Sequence, residues 1–130
     1  MRLLLDTPVF LWVTADPGRL AEGTRLALAV PENTVFVSAA SVWEIAIKRA
    51  LGRIDFPLEA FVPILARAGF DPLPISVSHA IAAGGLPRHH ADPFDRMLIA
   101  QARAENLTLV SEDAAFAAYG VPLFGQEGRR

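Results

Sequence analysis

The sequence has no cysteine and only one lysine, Lys48, among its 130 residues. Without cysteine the protein can form neither disulfide bonds nor thiolate metal ligands, a composition typical of the reducing cytoplasm. Its formal net charge is only -2, so contact with nucleic acid would have to come from a local basic patch or from cations bound at acidic residues. We therefore expect a cytoplasmic protein without a generally cationic surface.

Long apolar runs are also absent. No segment reaches the roughly 18 apolar residues that a membrane-spanning helix needs, and Asp6 and Pro8 interrupt the apolar opening, which otherwise resembles a secretion signal. Hydrophobic residues still make up 52% of the chain, enough for a domain of this length to fold around its own core. We expect one domain over residues 1–130, with 125–130 as a loose tail and no membrane partner.

Short apolar strands alternate with helical segments along the chain. We predict strands at 3–6, 34–37, 72–75, 108–110 and 121–124, the last at a sheet edge because its proline cannot donate a hydrogen bond. Segments with helical spacing are 19–30, 41–51, 58–68, 78–83, 93–105 and 112–119, and glycines follow several of them. This alternation predicts an α/β fold with a mostly parallel central sheet of about four to five strands flanked by helices.

Acidic side chains lie where the predicted strands end or the next helices begin: Asp6, Glu44, Asp92, Asp95 and Asp113, with the hydroxyl of Ser111 close to the last. Helices that follow parallel strands begin at the carboxyl edge of the sheet, where ligands bind in folds of this kind. We therefore expect several of these acids to converge on one pocket.

Each acid also has a local structural explanation. Asp92, followed by proline, is a typical helix N-cap, and Asp95 favours the positive end of the same helix. Ser41 and Glu44 fit a capping box. For Asp6, capping requires a helix that starts directly after the first strand. Capping therefore accounts for the acids one by one but does not require them to meet.

A divalent cation accounts for the acids together, because clustered carboxylates repel one another unless a cation neutralises them. Hard oxygen ligands favour Mg²⁺ or Mn²⁺ over zinc, and such ions activate water and stabilise the charge that develops in phosphodiester hydrolysis. The joint pattern thus favours a metal-dependent phosphodiesterase over a set of unrelated helix caps.

Four segments resemble the PIN-domain ribonucleases, and among them the VapC-like toxins of bacterial toxin–antitoxin modules: LLLDTPVFLW, SAASVWEIAIKRALGRI, DPFDRMLIAQA and LVSEDAAFAAYGV. The resemblance covers nearly the whole chain in the expected order, and the third segment is the most specific. It implies a PIN-like three-layer fold, a Mg²⁺-dependent endoribonuclease in which Mn²⁺ can substitute, and a small VapB-like antitoxin as partner.

The resemblance also implies roles for the acids. By position, the catalytic and metal-binding residues are Asp6, Glu44, Asp95 and Asp113, with Asp92 and Ser111 accessory. Asp6, Asp95 and Asp113 would hold Mg²⁺ directly or through water, and Glu44 would complete the shell or orient the attacking water.

Basic side chains near the acids are either ordinary solvated residues or contacts for RNA phosphates: Lys48, Arg49, Arg53, Arg88 and Arg96, with His89 and His90 as weaker candidates. Lys48 can instead pair with Glu44, four residues earlier in the same helix. Trp12 and Trp43 lie in helix-like apolar patterns, which predict core positions rather than base-stacking platforms. A domain this small and apolar is also expected to form a homodimer.

Two other functions remain open from the sequence. A receiver domain of a signalling relay is an α/β domain of similar size with an acidic Mg²⁺ pocket, but it needs a lysine after the last strand, where this chain has Gly125 and Gln126. The second is a PIN-like scaffold that binds a partner without cleaving anything. The presence of all four acids disfavours the scaffold.

Overall fold

The computed structural model describes residues 1–125. Its five strands form one sheet: β1 (Arg2–Leu5), β2 (Thr34–Ser38), β3 (Asp71–Leu73), β4 (Thr108–Val110) and β5 (Leu123–Phe124). The strand order is β3-β2-β1-β4-β5, and every pairing is parallel. The α/β fold is confirmed, and the strand predicted at 121–124 does lie at a sheet edge, although β5 begins only after Pro122.

Within residues 1–125, six α-helices connect or follow the strands: α1 (Thr7–Ala15), α2 (Glu22–Ala29), α3 (Ala39–Ala50), α4 (Phe61–Ala68), α5 (Val77–Gly84) and α6 (Pro93–Glu105). α1 is not among the predicted helical segments, although Trp12 lies in a helix-like pattern, because the segment is apolar on almost every side. The segment predicted at 112–119 is not an α-helix. It is a 3-10 helix of six residues, Ala114–Tyr119. Asp113 caps its start and Gly120 ends it.

The sheet is buried on both faces. Leu3, Leu4 and Leu5 of β1 have no exposed surface. Neighbouring side chains in a strand point to opposite faces, so Leu3 and Leu5 pack with residues of α1, α3 and α4, whereas Leu4 packs with residues of α6. This three-layer arrangement explains why the first strand is apolar at every position and does not alternate with polar residues.

Strand order locates the point where a ligand would bind. The chain moves outward from β1 through β2 to β3 and then returns to β4 on the other side of β1, so its direction reverses between β1 and β4. In open parallel sheets, ligands bind at such a reversal, beyond the carboxyl ends of the strands. Receiver domains have the order 2-1-3-4-5, so the observed order excludes that alternative.

The last described residue, Gly125, is buried and lies close to the backbone of Ser111. Its φ of 109° is a conformation that favours glycine, and a Cβ added there would lie 2.9 Å from the Ser111 carbonyl oxygen. The loose tail expected over 125–130 stays a prediction: Gly125 is buried, and 126–130 lie outside the described residues. No helix within residues 1–125 has both the length and the apolar character to cross a membrane.

Candidate active site at the carboxyl edge of the sheet

Asp6 connects the central strand to the first helix. It follows β1 directly and is the N-cap of α1, where its Oδ1 accepts a 2.9 Å hydrogen bond from the Val9 N–H. Its side chain also shares a hydrogen bond with Ser111. Burial raises the pKa of Asp6 to about 7, although both hydrogen bonds oppose the rise, and the charges of Asp95 and Asp113 add to it. Asp6 is thus a helix cap and also a carboxyl group close to two other acids.

The two acids at the start of α6 do different things. Asp92 is the N-cap, and its Oδ1 accepts hydrogen bonds from the backbone N–H groups of Phe94 at 2.8 Å and Asp95 at 3.1 Å. The Asp95 carboxylate faces His90 instead, with 2.9 Å between Oδ2 and Nε2. Burial, together with the charges of Asp92 and Glu44, raises the pKa of Asp95 to about 6, although His90 lowers it. Capping therefore explains the position of Asp92 but not the direction of the Asp95 side chain.

Ser111 and Asp113 follow β4, the strand beside β1. Ser111 is fully buried, and its Oγ accepts a 2.9 Å hydrogen bond from the Asp113 N–H. Asp113 is exposed and caps the 3-10 helix through a 2.9 Å bond from the Ala115 N–H to its Oδ1. The Ser111 side chain therefore bonds both to the Asp6 carboxyl and to the backbone that carries Asp113.

His90, Asp95 and Asp113 form a group of possible metal ligands, in which one atom of each residue lies within 4.8 Å of the others. Asp6 interacts electrostatically with both of these acids. The sequence reasoning gave His90 little weight, because the contacts that fix it come from distant parts of the chain. Its N–H donates a 2.7 Å bond to the Tyr119 hydroxyl, and its carbonyl oxygen accepts a bond from the Arg96 guanidinium.

Glu44 reaches the same region from α3. It is buried, its Oε2 lies 2.7 Å from the Lys48 Nζ, and its charge raises the pKa of Asp95. The predicted capping box is wrong, because α3 begins at Ala39, two residues before the predicted start, and Ser38 is its N-cap. Ser41 lies inside the helix, where its Oγ accepts a 2.9 Å bond from the Thr7 hydroxyl and so ties α3 to α1. The alternative pairing of Glu44 with Lys48 is present.

Several predicted phosphate-binding side chains are already engaged. Lys48 pairs with Glu44, and Arg49 makes two hydrogen bonds to Glu59 at 2.8 and 3.1 Å. The Arg96 guanidinium donates to four backbone carbonyls, those of Ala83, Leu86, Pro87 and His90. Arg96 thereby fixes the segment between α5 and α6 that carries His90, and its predicted contact with RNA stays a prediction. Within residues 1–125, the exposed side chains of Arg53 and Arg88 have no such partner.

The donor set fits a divalent cation. Its carboxylate oxygens are the hard ligands that suit Mg²⁺ and Mn²⁺, and its one imidazole nitrogen is a softer donor. Burial and neighbouring carboxylates disfavour the charged forms of Asp6 and Asp95, and a cation would reverse this effect. Carboxylates that destabilise one another in this way are therefore consistent with a metal centre.

The predicted core positions of the tryptophans are wrong for Trp43. Its side chain is 62% exposed and packs edge to face against Phe94, with 5.3 Å between the ring centroids. Ile45 and Ala40 take the buried positions of α3 instead. Trp12 is half-buried, and the Arg19 guanidinium lies 4.8 Å from its ring centroid.

Comparisons with known proteins agree with this architecture. A family model described as PIN domain matches residues 3–122. VapBC2 from Rickettsia felis, solved bound to a promoter DNA fragment, aligns with a TM-score of 0.73 and 19% identity over 95% of this chain and 98% of that chain. The DNA-bound VapBC from Salmonella typhimurium aligns at 0.68, with 18% identity over 95% and 97%. FitAcB from Neisseria gonorrhoeae aligns at 0.60, with 21% identity over 94% and 96%. The sequence matches no curated protein. Because these sequence identities are only 18 to 21%, the structural similarity shows a shared fold and nothing more.

Proposed function

The chain belongs to the PIN domain family, and we propose that it is a metal-dependent endoribonuclease of the VapC type. One observation carries the proposal. Asp95, Asp113 and His90 offer ligand atoms within 4.8 Å of one another, and the buried Asp6 interacts with both acids where the strand order reverses. Carboxylates in this arrangement suit the Mg²⁺ or Mn²⁺ chemistry of phosphodiester hydrolysis.

In this proposal the protein's own side chains have separate tasks. Asp6, Asp95 and Asp113 would hold the cation, with His90 as a further donor and Glu44 oriented by Lys48 toward the same group. A divalent cation bound there would neutralise the charge of the scissile phosphate and would lower the pKa of the water bound to it. The Ser111 hydroxyl positions Asp6 and the backbone of Asp113, and Asp92 caps the helix that carries Asp95.

Contacts with the RNA backbone are assigned by exposure. Arg88 lies two residues before His90 and is exposed, so we assign it the phosphate contact nearest the acids. Arg53 follows the C-terminal end of α3, the end away from the carboxyl edge, and can reach only a more distant phosphate. Lys48 and Arg49 would have to leave Glu44 and Glu59 before contacting RNA. An RNA substrate and the absence of cysteine both favour a cytoplasmic location.

Metal removal tests the activity directly. We expect the purified protein to cleave end-labelled RNA in Mg²⁺ or Mn²⁺ and to stop when EDTA is added, because the acids alone would repel the phosphate. Excess Mg²⁺ added after EDTA should restore cleavage, which serves as the control against irreversible inactivation. Undiminished cleavage in EDTA would remove the metal hypothesis, and RNA binding without cleavage under any metal would favour the silent scaffold.

A small VapB-like antitoxin is the proposed inhibitor. An acidic groove suits a peptide that places an arginine against Asp6 and Asp95, since a guanidinium binds carboxylates in a bidentate manner and would displace the cation. We expect a co-purified pair to lack nuclease activity, and replacement of that arginine by alanine in the partner to release it. An intact pair with full activity would count against this mode of inhibition.

The homodimer expected from composition stays a prediction. Large apolar side chains that could form its interface are exposed on α4 and α5: Val62 at 75%, Val77 at 78% and Ile81 at 72%. Val77 and Ile81 lie one helical turn apart on α5, and exposed apolar surface can mark contact sites in small proteins.

A further inference from the structure

Trp43 and Phe94 form an aromatic pair on the surface beside the acidic site. Their ring planes are inclined at 75°, with 5.3 Å between the centroids. Each residue immediately precedes a proposed metal-binding acid in the chain, Trp43 before Glu44 and Phe94 before Asp95. Because Phe94 is half-buried and Trp43 is 62% exposed, the indole is supported from the protein side and open to solvent elsewhere.

Two neighbouring hollows lie between this pair and His90. One, of about 250 Å³, is lined by both rings together with Ile75, Gly84 and Arg96, among others. The second, of about 340 Å³, is lined by Gly84 and Arg96 as well, and also by Arg88 and His90. Since the two hollows share residues, a surface path leads from His90 of the metal-ligand group, past the exposed Arg88, to the face of Trp43.

We propose that Trp43, supported by Phe94, is a stacking platform for an unpaired base of the RNA next to the cleaved phosphate. The inference rests on the proposed nuclease function and adds the substrate class to it. Every base has a π face that can stack on an aromatic ring, but in a duplex those faces are already stacked on neighbouring bases. The protein should therefore prefer single-stranded or loop RNA.

Charge favours RNA as the occupant of this surface. The path from His90 to Trp43 passes Arg88, which can contact the phosphate next to the stacked base. A stacked base is worth about 5- to 100-fold in affinity, whatever its identity. The platform thus contributes to substrate binding and not to the hydrolytic step, which the acids carry out.

The chain has two tryptophans, so Trp12→Phe leaves Trp43 as the single indole. In this background, rapid mixing with an unstructured RNA oligonucleotide in Mg²⁺ should quench the Trp43 emission, and the same strand in a perfect duplex should not. For cleavage of unpaired RNA, Trp43→Ala should raise KM about 5- to 100-fold with little change in kcat. Trp43→Phe, which keeps an aromatic ring, should recover most of the loss.

The controls separate this inference from the nuclease proposal. An exposed side chain contributes little to the core, so Trp43→Ala should melt at the wild-type temperature. Quenching by unpaired RNA in a protein that never cleaves would reject the nuclease and keep the platform. Cleavage with an unchanged KM in Trp43→Ala, or equal quenching by duplex and single strand, would overturn the platform. The platform would also be overturned if the Trp43 emission shifted with protein concentration but did not change on addition of RNA, because a second copy of the chain would then cover the indole.

Discussion

Asp95→Asn is expected to lose RNA cleavage while the metal-free protein stays at least as stable as the wild type. Removal of a metal ligand takes away several kcal/mol of transition-state stabilisation, so we expect activity to fall by at least about 100-fold. Burial and the charges of Asp92 and Glu44 raise the pKa of Asp95 to about 6, which means that its negative charge is unfavourable in the folded protein. Neutralising that charge at pH 8 should not destabilise the fold.

The effect of Mg²⁺ on stability distinguishes a metal ligand from a residue that only interacts with the helix dipole. A ligand that binds only the folded state raises its stability, so wild-type protein should gain melting temperature on titration with Mg²⁺, and Asp95→Asn should gain much less. If Asp95 served only the helix dipole, the substitution would cost about 0.3 to 1 kcal/mol with or without Mg²⁺.

Asp92→Asn is the matched control for this experiment. The Asp92 Oδ1 atom accepts two backbone hydrogen bonds, and an asparagine carbonyl can accept both, so the cap and the fold should survive. Thermal melts of the three proteins with and without Mg²⁺, together with cleavage assays, give the answer. An Asp95→Asn protein that is destabilised equally in both conditions and still cleaves RNA would return Asp95 to the dipole role.

Elements that carry their own start and stop signals could be predicted from sequence. The predicted bounds of α6 match the structure at both ends, because Asp92 and Pro93 form a complete start signal and Asn106 ends the helix in a left-handed conformation, with φ of 56°. Those of β4 also match, since the strand occupies the few residues between that helix end and the next cap. The convergence of acids at one sheet edge followed from the parallel arrangement alone.

Features that depend on packing between distant residues could not be predicted in this way. Trp43 shares an apolar helical pattern with Ile45, and only the fold decides that Ile45 enters the core while Trp43 packs on Phe94 at the surface. His90 is held by Tyr119, 29 residues away. The start of α3 was misplaced because Ser41 offers the same side-chain chemistry as Ser38, and only the end of β2 selects between them.

Asp6→Asn is expected to remove most of a pH dependence of stability that the metal-free wild type should show. Burial raises the pKa of Asp6 from 3.8 to about 7, so between these values the folded protein keeps a proton that the unfolded chain releases. Stability is therefore highest on the acidic side of this range and falls as the pH rises through it. A pKa difference of this size lowers the free energy of unfolding by roughly 4 kcal/mol in total, and this full loss is approached above pH 7.

The substituted side chain can keep the local contacts of Asp6. An asparagine carbonyl can accept the Val9 N–H, and its amide can donate to Ser111, so the cap at the start of α1 remains. We expect metal-free Asp6→Asn to match the wild type near pH 4 and to exceed it by up to about 4 kcal/mol at pH 8, as measured by urea unfolding in EDTA. Asp16→Asn, an exposed position at the other end of α1, is the control for the same change in net charge.

Mg²⁺ should reverse the order of the two proteins at high pH. Metal ligands must be ionised to bind, so the cation competes with the proton on Asp6, and the stability that wild-type protein gains from Mg²⁺ should be much larger at pH 8 than at pH 5.5. The asparagine variant should gain little at either pH and should not cleave RNA. A wild-type protein whose metal-free stability rises between pH 5 and pH 8, with Asp6→Asn less stable at pH 8 whether or not Mg²⁺ is present, would show that the Asp6 charge stabilises the start of α1. The carboxylate would then need no cation, and Asp6 would have to be removed from the proposed metal site.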